Sequence, residues 1–111
     1  MPKDKKEFGD FLREVIKQTG ISQSSFYSTV GITKPYFYDI LSGKANPPPP
    51  DIQYKMLECL KITERQRIDF LNMAAEGRGE LPADITALIK EHPKELDKIR
   101  TSLNALFSKK E

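Results

Sequence analysis

Residues 20–43 constrain the fold of this 111-residue chain more than any other segment. Their apolar residues recur at helical spacing in two short stretches, one on each side of Gly31. Ser22 and Thr33 each precede a stretch, and their short polar side chains can accept a backbone N–H at the start of a helix. Gly31 can adopt the positive φ that ends one helix just before the next begins. The segment therefore predicts two short helices joined by a tight turn.

The second of these helices, predicted over residues 33–42, has two unlike faces. Phe37, Ile40 and Leu41 form an apolar stripe at i, i+3 and i+4, so this side must turn inward. Four polar, aromatic or cyclic residues of its first two turns lie outside that stripe: Lys34, Pro35, Tyr38 and Asp39. Pro35 is tolerated in the opening turn because no intrahelical hydrogen bond is lost there. A short helix with such an outward face is what the major groove of duplex DNA accepts.

The two helices and their turn resemble the helix-turn-helix of the phage repressor and Cro-type regulators, the XRE-like or lambda repressor-like family. The matching positions are Ile21-Ser22-Gln23, Phe26, Gly31-Ile32-Thr33, Phe37, Ile40, Gly43-Lys44 and Pro47. The chain departs from the family pattern at Tyr27, usually a small Ala, and at Leu41, often a Glu. The resemblance implies a five-helix DNA-binding domain over residues 1–77. It also implies a homodimer that binds two half-sites on double-stranded DNA.

The family positions its base-contacting residues on the first two turns of the second motif helix, which here are Lys34, Pro35, Tyr38 and Asp39. Tyr38 can donate or accept a hydrogen bond, whereas an ionised Asp39 can only accept one, as from cytosine N4 or adenine N6. Gln23, at the start of the first motif helix, and Ser42 and Lys44, at the end of the second, are predicted to contact phosphates. The alternative for each residue is a solvated helix face.

Helical spacing continues through the rest of the chain and no strand pattern occurs, so we predict an all-α protein. A first helix ends near Gly20, and a fourth spans 51–61. The pattern Thr63 to Gln66 is a capping box that opens a fifth helix, closed by Gly77 and Gly79. The four prolines of residues 47–50 are either a stiff spacer or a polyproline II ligand for a partner.

Residues 78–111 are predicted to form a helical extension. Pro93 divides it into two helices, because the residue before a proline is pushed out of the α region. The last helix has one apolar stripe, which we predict to form a dimer interface: Leu96, Ile99, Leu103, Leu106 and Phe107. The alternative is that this stripe packs back on the fifth helix of the same chain.

The charge of the chain neither requires nor excludes a nucleic acid partner. Eighteen basic and sixteen acidic residues give a net charge of +2. Residues 1–62 carry nine basic and seven acidic groups, while residues 63–111 carry nine of each. This distribution favours DNA contact through a few placed groups. Lys3, Lys5 and Lys6 could form an arm on the DNA backbone, or they could be a solvated terminus.

The sequence contains no arrangement of residues typical of an enzyme or a metal protein. Cys59 is the single cysteine and His92 the single histidine, so neither a disulfide nor a Cys/His zinc site is expected. No nucleophile–base pair or glycine-rich phosphate loop occurs, and we expect no cofactor and no small-molecule effector. Neither a signal peptide nor a membrane span is predicted. We therefore expect a cytoplasmic protein, encoded by a bacterium or a phage.

Two functions are consistent with these features. The first is a sequence-specific transcriptional regulator, a dimeric repressor that inserts the helix over residues 33–42 into the major groove. The second is a protein-interaction module, such as an antitoxin or adapter, that keeps the fold without binding DNA. Asp39, Pro35, the low net charge and the aromatic run Tyr36-Phe37-Tyr38 favour the second.

Overall fold

The protein, described here by a computed structural model of residues 2–108 with side chains from residue 5 onward, is all-α. No strand occurs within that range. The helices, in chain order, are α1 Pro2–Thr19, α2 Gln23–Val30, α3 Lys34–Ser42, α4 Pro50–Cys59, α5 Glu64–Arg78, α6 Ala83–Lys90 and α7 Leu96–Ser108. A single 3₁₀ turn, Pro93–Glu95, precedes α7. None of the described helices is long and apolar enough to cross a membrane.

The core lies between the long helix α1 and the helices α3 and α5 that pack against it. Its largest fully buried side chains include Phe8, Leu12, Phe26, Phe37, Ile40, Met56, Phe70 and Leu71. The rings of Phe8 on α1 and Phe70 on α5 meet edge to face, with centroids 5.1 Å apart. Each fully buried side chain of this size contributes roughly 1.5–3 kcal/mol to the free energy of unfolding. Helices α1 to α5 all contribute buried residues to this core.

Gly9 lets α1 and α3 approach closely. A Cβ atom at this position would lie 2.2 Å from the carbonyl oxygen of Leu41 and 2.8 Å from that of Ile40. Because both atoms belong to the backbone of α3, no side-chain movement could make room for a methyl group. The position of α3 on the body of the protein therefore depends on this glycine.

The proline run is a packed connection between α3 and α4. Pro47 and Pro48 are buried. Arg78 donates a hydrogen bond to the Pro47 carbonyl at 3.1 Å, and buried Gln53 donates one to the Pro48 carbonyl at 2.9 Å. A Cβ atom on Gly77 would lie 2.6 Å from the Pro47 ring. These contacts favour the spacer interpretation, because a ligand for a partner would have to expose its prolines.

Two helix boundaries differ from the sequence prediction. Helix α4 ends at Cys59 instead of residue 61, and α5 passes through Gly77 to end at Arg78. Gly77 lies within the helix, where its missing side chain leaves space for the Pro47 ring, and Gly79 has the positive φ of +69° that ends the helix. The predicted capping box is present. The Thr63 hydroxyl accepts from the backbone N–H of Gln66, and the side-chain oxygen of Gln66 accepts from the backbone N–H of Thr63.

Helix α6 contributes Ala83 to the core, whereas α7 buries none of its described residues. Helix α6 contacts α5, and α7 follows the 3₁₀ turn. His92 lies at the junction, with its Nδ1 atom 2.8 Å from the Leu88 carbonyl oxygen. The predicted division at Pro93 is therefore confirmed, with a 3₁₀ turn in place of the first turn of the last helix.

Candidate nucleic-acid interface

The predicted caps fix the two helices of the motif. The Ser22 hydroxyl accepts from the amide of Ser25 at 3.0 Å, and the Thr33 hydroxyl accepts from that of Tyr36 at 3.3 Å. Gly31 ends α2 with a φ of +90°, and Gly43 ends α3 with a φ of +83°. Helices α2 and α3 therefore begin and end where the sequence predicts, within one residue.

The inward face of α3 is fully buried and holds the helix rigidly on the body of the protein. Phe37, Ile40 and Leu41 are each at most 1% exposed. The Phe37 ring has its centroid 5.9 Å from that of Phe26 and 5.3 Å from that of Tyr27, both on α2. Tyr27, which occupies the small-residue position of the family pattern, is thus part of the packing between α2 and α3.

The outward face of α3 consists of Lys34, Pro35 and Tyr38, all of which are exposed. Tyr38 keeps 40% of its surface open to solvent, although its ring also contacts Phe37 with centroids 5.1 Å apart. Asp39 is half-buried, so it lies at the edge of this face instead of its centre. Among the four predicted base-contacting residues, three therefore share one open surface and the fourth borders it.

The aromatic run Tyr36-Phe37-Tyr38 does not form a continuous contact patch. Phe37 is buried and Tyr36 is half-buried, packed against the core, so Tyr38 alone is exposed. Burial raises the pKa of the Tyr36 phenol, while the positive charge of Arg78 opposes that shift. The argument from an aromatic contact patch for a protein-interaction module is therefore wrong, because successive residues of a helix point in different directions.

Tyr38 and Gln23 are brought together across the turn. The Tyr38 hydroxyl donates a hydrogen bond to the side-chain oxygen of Gln23 at 2.9 Å. This bond connects a predicted base-contacting residue to a predicted phosphate-contacting one. The side-chain NH₂ of Gln23 keeps its donors for another acceptor.

Ser42 and Lys44 lie at the C-terminal end of α3, and both are exposed. The Ser42 hydroxyl donates to the Asp39 carbonyl at 3.2 Å and accepts from the Lys44 amide at 3.4 Å. It therefore closes the helix end, and only its remaining capacity could serve a phosphate. Lys44 is the stronger candidate, since its full positive charge attracts a phosphate directly.

Arg13 and Lys17 form a basic edge that the sequence did not single out. Both are exposed on α1 and line one shallow concavity together with Gln23. Their i, i+4 spacing was visible in the sequence and places both side chains on the same face of α1. That this face borders the start of α2 depends on how the two helices pack. Arg13 also pairs with Asp10, at 3.3 Å, so Lys17 is the member of this edge with no ion pair among the described residues. Lys6 pairs with the same Asp10 oxygen, and the Lys3 side chain lies outside the described residues.

The predicted dimer residues lie far from this surface in the chain, on α7. We call Leu96, Ile99, Leu103, Leu106 and Phe107 the α7 stripe. All are exposed except Ile99, which is half-buried. Packing of the α7 stripe on α5 would have buried it, and the structure does not show that packing.

The described residues contain no group of three His, Cys, Asp or Glu side chains placed to hold a metal ion. Cys59 is half-buried at the margin of the core, and burial raises the pKa of its thiol. A raised pKa keeps the thiol protonated, which is the less reactive form. Cys59 therefore serves as a small packing residue.

Comparison with known proteins gave no match to a protein family, to a curated protein or to a solved structure. What the chain binds is therefore inferred from its own residues.

Proposed function

We propose that this protein is a sequence-specific regulator of transcription that binds double-stranded DNA through a lambda repressor-like helix-turn-helix. It acts by binding rather than by catalysis, as a two-fold dimer that represses by covering a promoter. Helix α3 enters the major groove, and Lys34, Pro35 and Tyr38 contact base edges. The observation that carries this proposal is the pairing of a fully buried face of α3 with an open face opposite it.

The burial of α3 supports the proposal because base recognition needs a rigid helix. Phe37, Ile40 and Leu41 fix its position, so the opposite side can enter a groove without loss of packing. The groove is about 12 Å wide and accepts one helix with its side chains. Tyr38, 40% exposed, can then donate or accept at a base edge or contact a thymine methyl group.

The charged and polar groups around α3 suit the flanking phosphates. Gln23, Arg13 and Lys17 border one side of the motif, and Lys44 follows α3 at the other. Phosphate contacts of this kind fix the register of a protein on the duplex without specifying sequence. Asp39 at the edge of the outward face would be repelled by phosphate and attracted by cytosine N4 or adenine N6 donors, so it contributes to sequence preference.

The decisive experiment selects duplexes from a random library with the full-length chain and then titrates a selected duplex at several salt concentrations. Binding should weaken as the salt concentration rises. The protein releases cations condensed on the DNA when it binds, and this release becomes less favourable at high salt. Replacement of both Lys34 and Tyr38 by Ala should weaken binding by 10-fold or more, since one good base contact contributes about 1–3 kcal/mol. The control is Lys94→Ala, which removes an exposed lysine outside α1–α3.

Failure to select any sequence, or affinity unaffected by both salt and the Lys34/Tyr38 replacement, would contradict the proposal. The second candidate, a protein-interaction module, keeps the support of Asp39, Pro35 and the low net charge. The outward face of α3 also has no Arg or Gln of its own for a bidentate base contact. Stable capture of one protein partner, together with no DNA binding, would favour that candidate.

A further inference from the structure

We propose that the α7 stripe is the self-association surface of this protein and that a second copy of α7 covers it. Only the role of this pairing, which is to bind two half-sites on one duplex, rests on the proposed function. Self-association itself can be measured without DNA, so the two proposals can fail separately.

The spacing of the α7 stripe matches that of a helix that pairs with its own copy. Leu96, Ile99, Leu103 and Leu106 are separated by three, four and three residues, which is the a and d pattern of two successive heptads. Phe107 widens the stripe at its C-terminal end. A two-fold axis brings one surface against itself, so a surface with this regular spacing is complementary to its copy.

Helix α7 needs a cover that its own chain does not provide within residues 2–108. None of its described residues is buried, and Leu103, Leu106 and Phe107 are 45%, 57% and 59% exposed. The helix has 13 residues, and isolated helices of this length are marginally stable in water. Formation of α7 should therefore be coupled to association, with its helicity rising as copies pair.

The charges around the α7 stripe suit a second copy better than a strongly charged partner. Residues 91–108 contain three basic and three acidic side chains, so the segment has no net charge to repel its copy. Arg100 pairs with Asp97 at 2.8 Å and Lys98 with Glu95 at 3.7 Å on the same chain. The charged groups are thus largely matched before any partner arrives.

The apolar area of the α7 stripe is about half that of an ordinary dimer interface. Its exposed members Leu96, Leu103, Leu106 and Phe107 keep 43%, 45%, 57% and 59% of their surface open. With about 200 Å² as an upper value for a fully exposed large side chain, they present roughly 400 Å² per copy, against ~800 Å² per partner in a standard interface. We therefore expect a dimer that dissociates on dilution.

Pairing through α7 leaves the candidate nucleic-acid interface open. Helix α3 packs against α1 and α2, and α2 also packs against α4, whereas the extension joins the core through α6 and α5. No residue of the α7 stripe belongs to the outward face of α3. One dimer can therefore offer both of its α3 helices to DNA.

The test is sedimentation velocity of the full-length chain without DNA, from about 1 to 200 μM, with hydrogen exchange of α7 at both ends of the range. We expect a dimer whose α7 amides are protected and become exposed on dilution. Replacement of Leu103 and Leu106 by Lys should raise the dissociation constant at least 100-fold and remove that protection. The matched control, Thr101→Lys with Asn104→Lys, adds the same charges outside the a and d positions and should remain dimeric.

A wild-type chain that stays monomeric at 200 μM would overturn the inference. If the α7 amides of that monomer are protected, the stripe is covered within its own chain. If they are unprotected, nothing covers the stripe. A Leu103/Leu106 variant that remains dimeric would also overturn it. Because the stripe adds nothing to the core, the variants should unfold at the same temperature as the wild type at a concentration where the wild type is also monomeric, which will show that they are folded. A dimer that selects no DNA sequence would contradict the proposed function alone.

Discussion

The Tyr38 hydroxyl donates a hydrogen bond to the side-chain oxygen of Gln23 at 2.9 Å, joining the middle of α3 to the start of α2. This bond orients the Gln23 amide, so its NH₂ group keeps a defined direction. Orientation before binding lowers the entropic cost of ordering the side chain at an interface. The pair therefore behaves as one unit at the candidate nucleic-acid interface.

Tyr38→Phe removes only the hydroxyl of this pair. We expect about 3- to 10-fold weaker binding to a selected duplex, since a hydrogen bond has a net value of about 0.5–1.5 kcal/mol. Fluorescence anisotropy would measure the affinity, with Tyr54→Phe on α4 as the matched control. A double-mutant cycle with Gln23→Ala should give a nonzero coupling energy. Strictly additive effects would show that the pair has no joint role.

Arg13→Ala combined with Lys17→Ala should reduce the salt dependence of DNA binding. Each lost phosphate contact lowers the slope of log affinity against log salt by about one. The preferred sequence should stay the same, because phosphate contacts do not specify bases. Repeating the selection and the salt titration would measure both effects. Arg65→Ala with Lys94→Ala removes the same charges elsewhere, and an equal change there would contradict a local role.

Gly9→Ala should destabilise the fold strongly. Its methyl group would meet the carbonyl oxygen of Leu41 at 2.2 Å, which forces α1 and α3 apart at a cost of about 3 kcal/mol or more. Gly31→Ala is the control for backbone strain alone, since no atom lies within 4 Å of its Cβ position. It should cost about 1–2 kcal/mol through its left-handed conformation. Urea unfolding would rank the two, and similar losses would disprove the close contact.

Glu80 should make the stability of the protein depend slightly on pH in the acid range. Arg78 donates to both of its carboxylate oxygens, at 2.9 and 3.1 Å, and this hydrogen bonding lowers the pKa of Glu80 below 4.5. Because the pKa is lowered in the folded state, the ionised Glu80 carboxylate stabilises the fold above pH 4.5. This stabilisation is lost as the pH falls through the lowered pKa. Thermal unfolding of the wild type and of Glu80→Gln between pH 2.5 and 7 would measure it. The difference in Tm between them should shrink toward the acid end, and a constant difference would contradict the assignment.

The local features of the motif were predictable because they depend on neighbouring residues. Ser22, Thr33 and Gly31 have preferences that act within one helical turn, and each behaves in the structure as the sequence indicates. The inward stripe of α3 was predictable for the same reason, since its spacing decides which side must be buried. The errors concerned the ends of α4 and α5 and the aromatic run on α3. Gly77 lies inside α5, and its missing side chain leaves space for the Pro47 ring, which is distant in the sequence.

The sequence by itself determined the all-α class, the two motif helices and the face of α3 that turns inward, because caps and periodicity act over a few residues. Only the tertiary structure decided that Gln23 meets Tyr38, that Arg13 and Lys17 border the same surface, and that the α7 stripe stays exposed. These relations join residues far apart in the chain. They depend on how whole helices pack, which no local preference encodes.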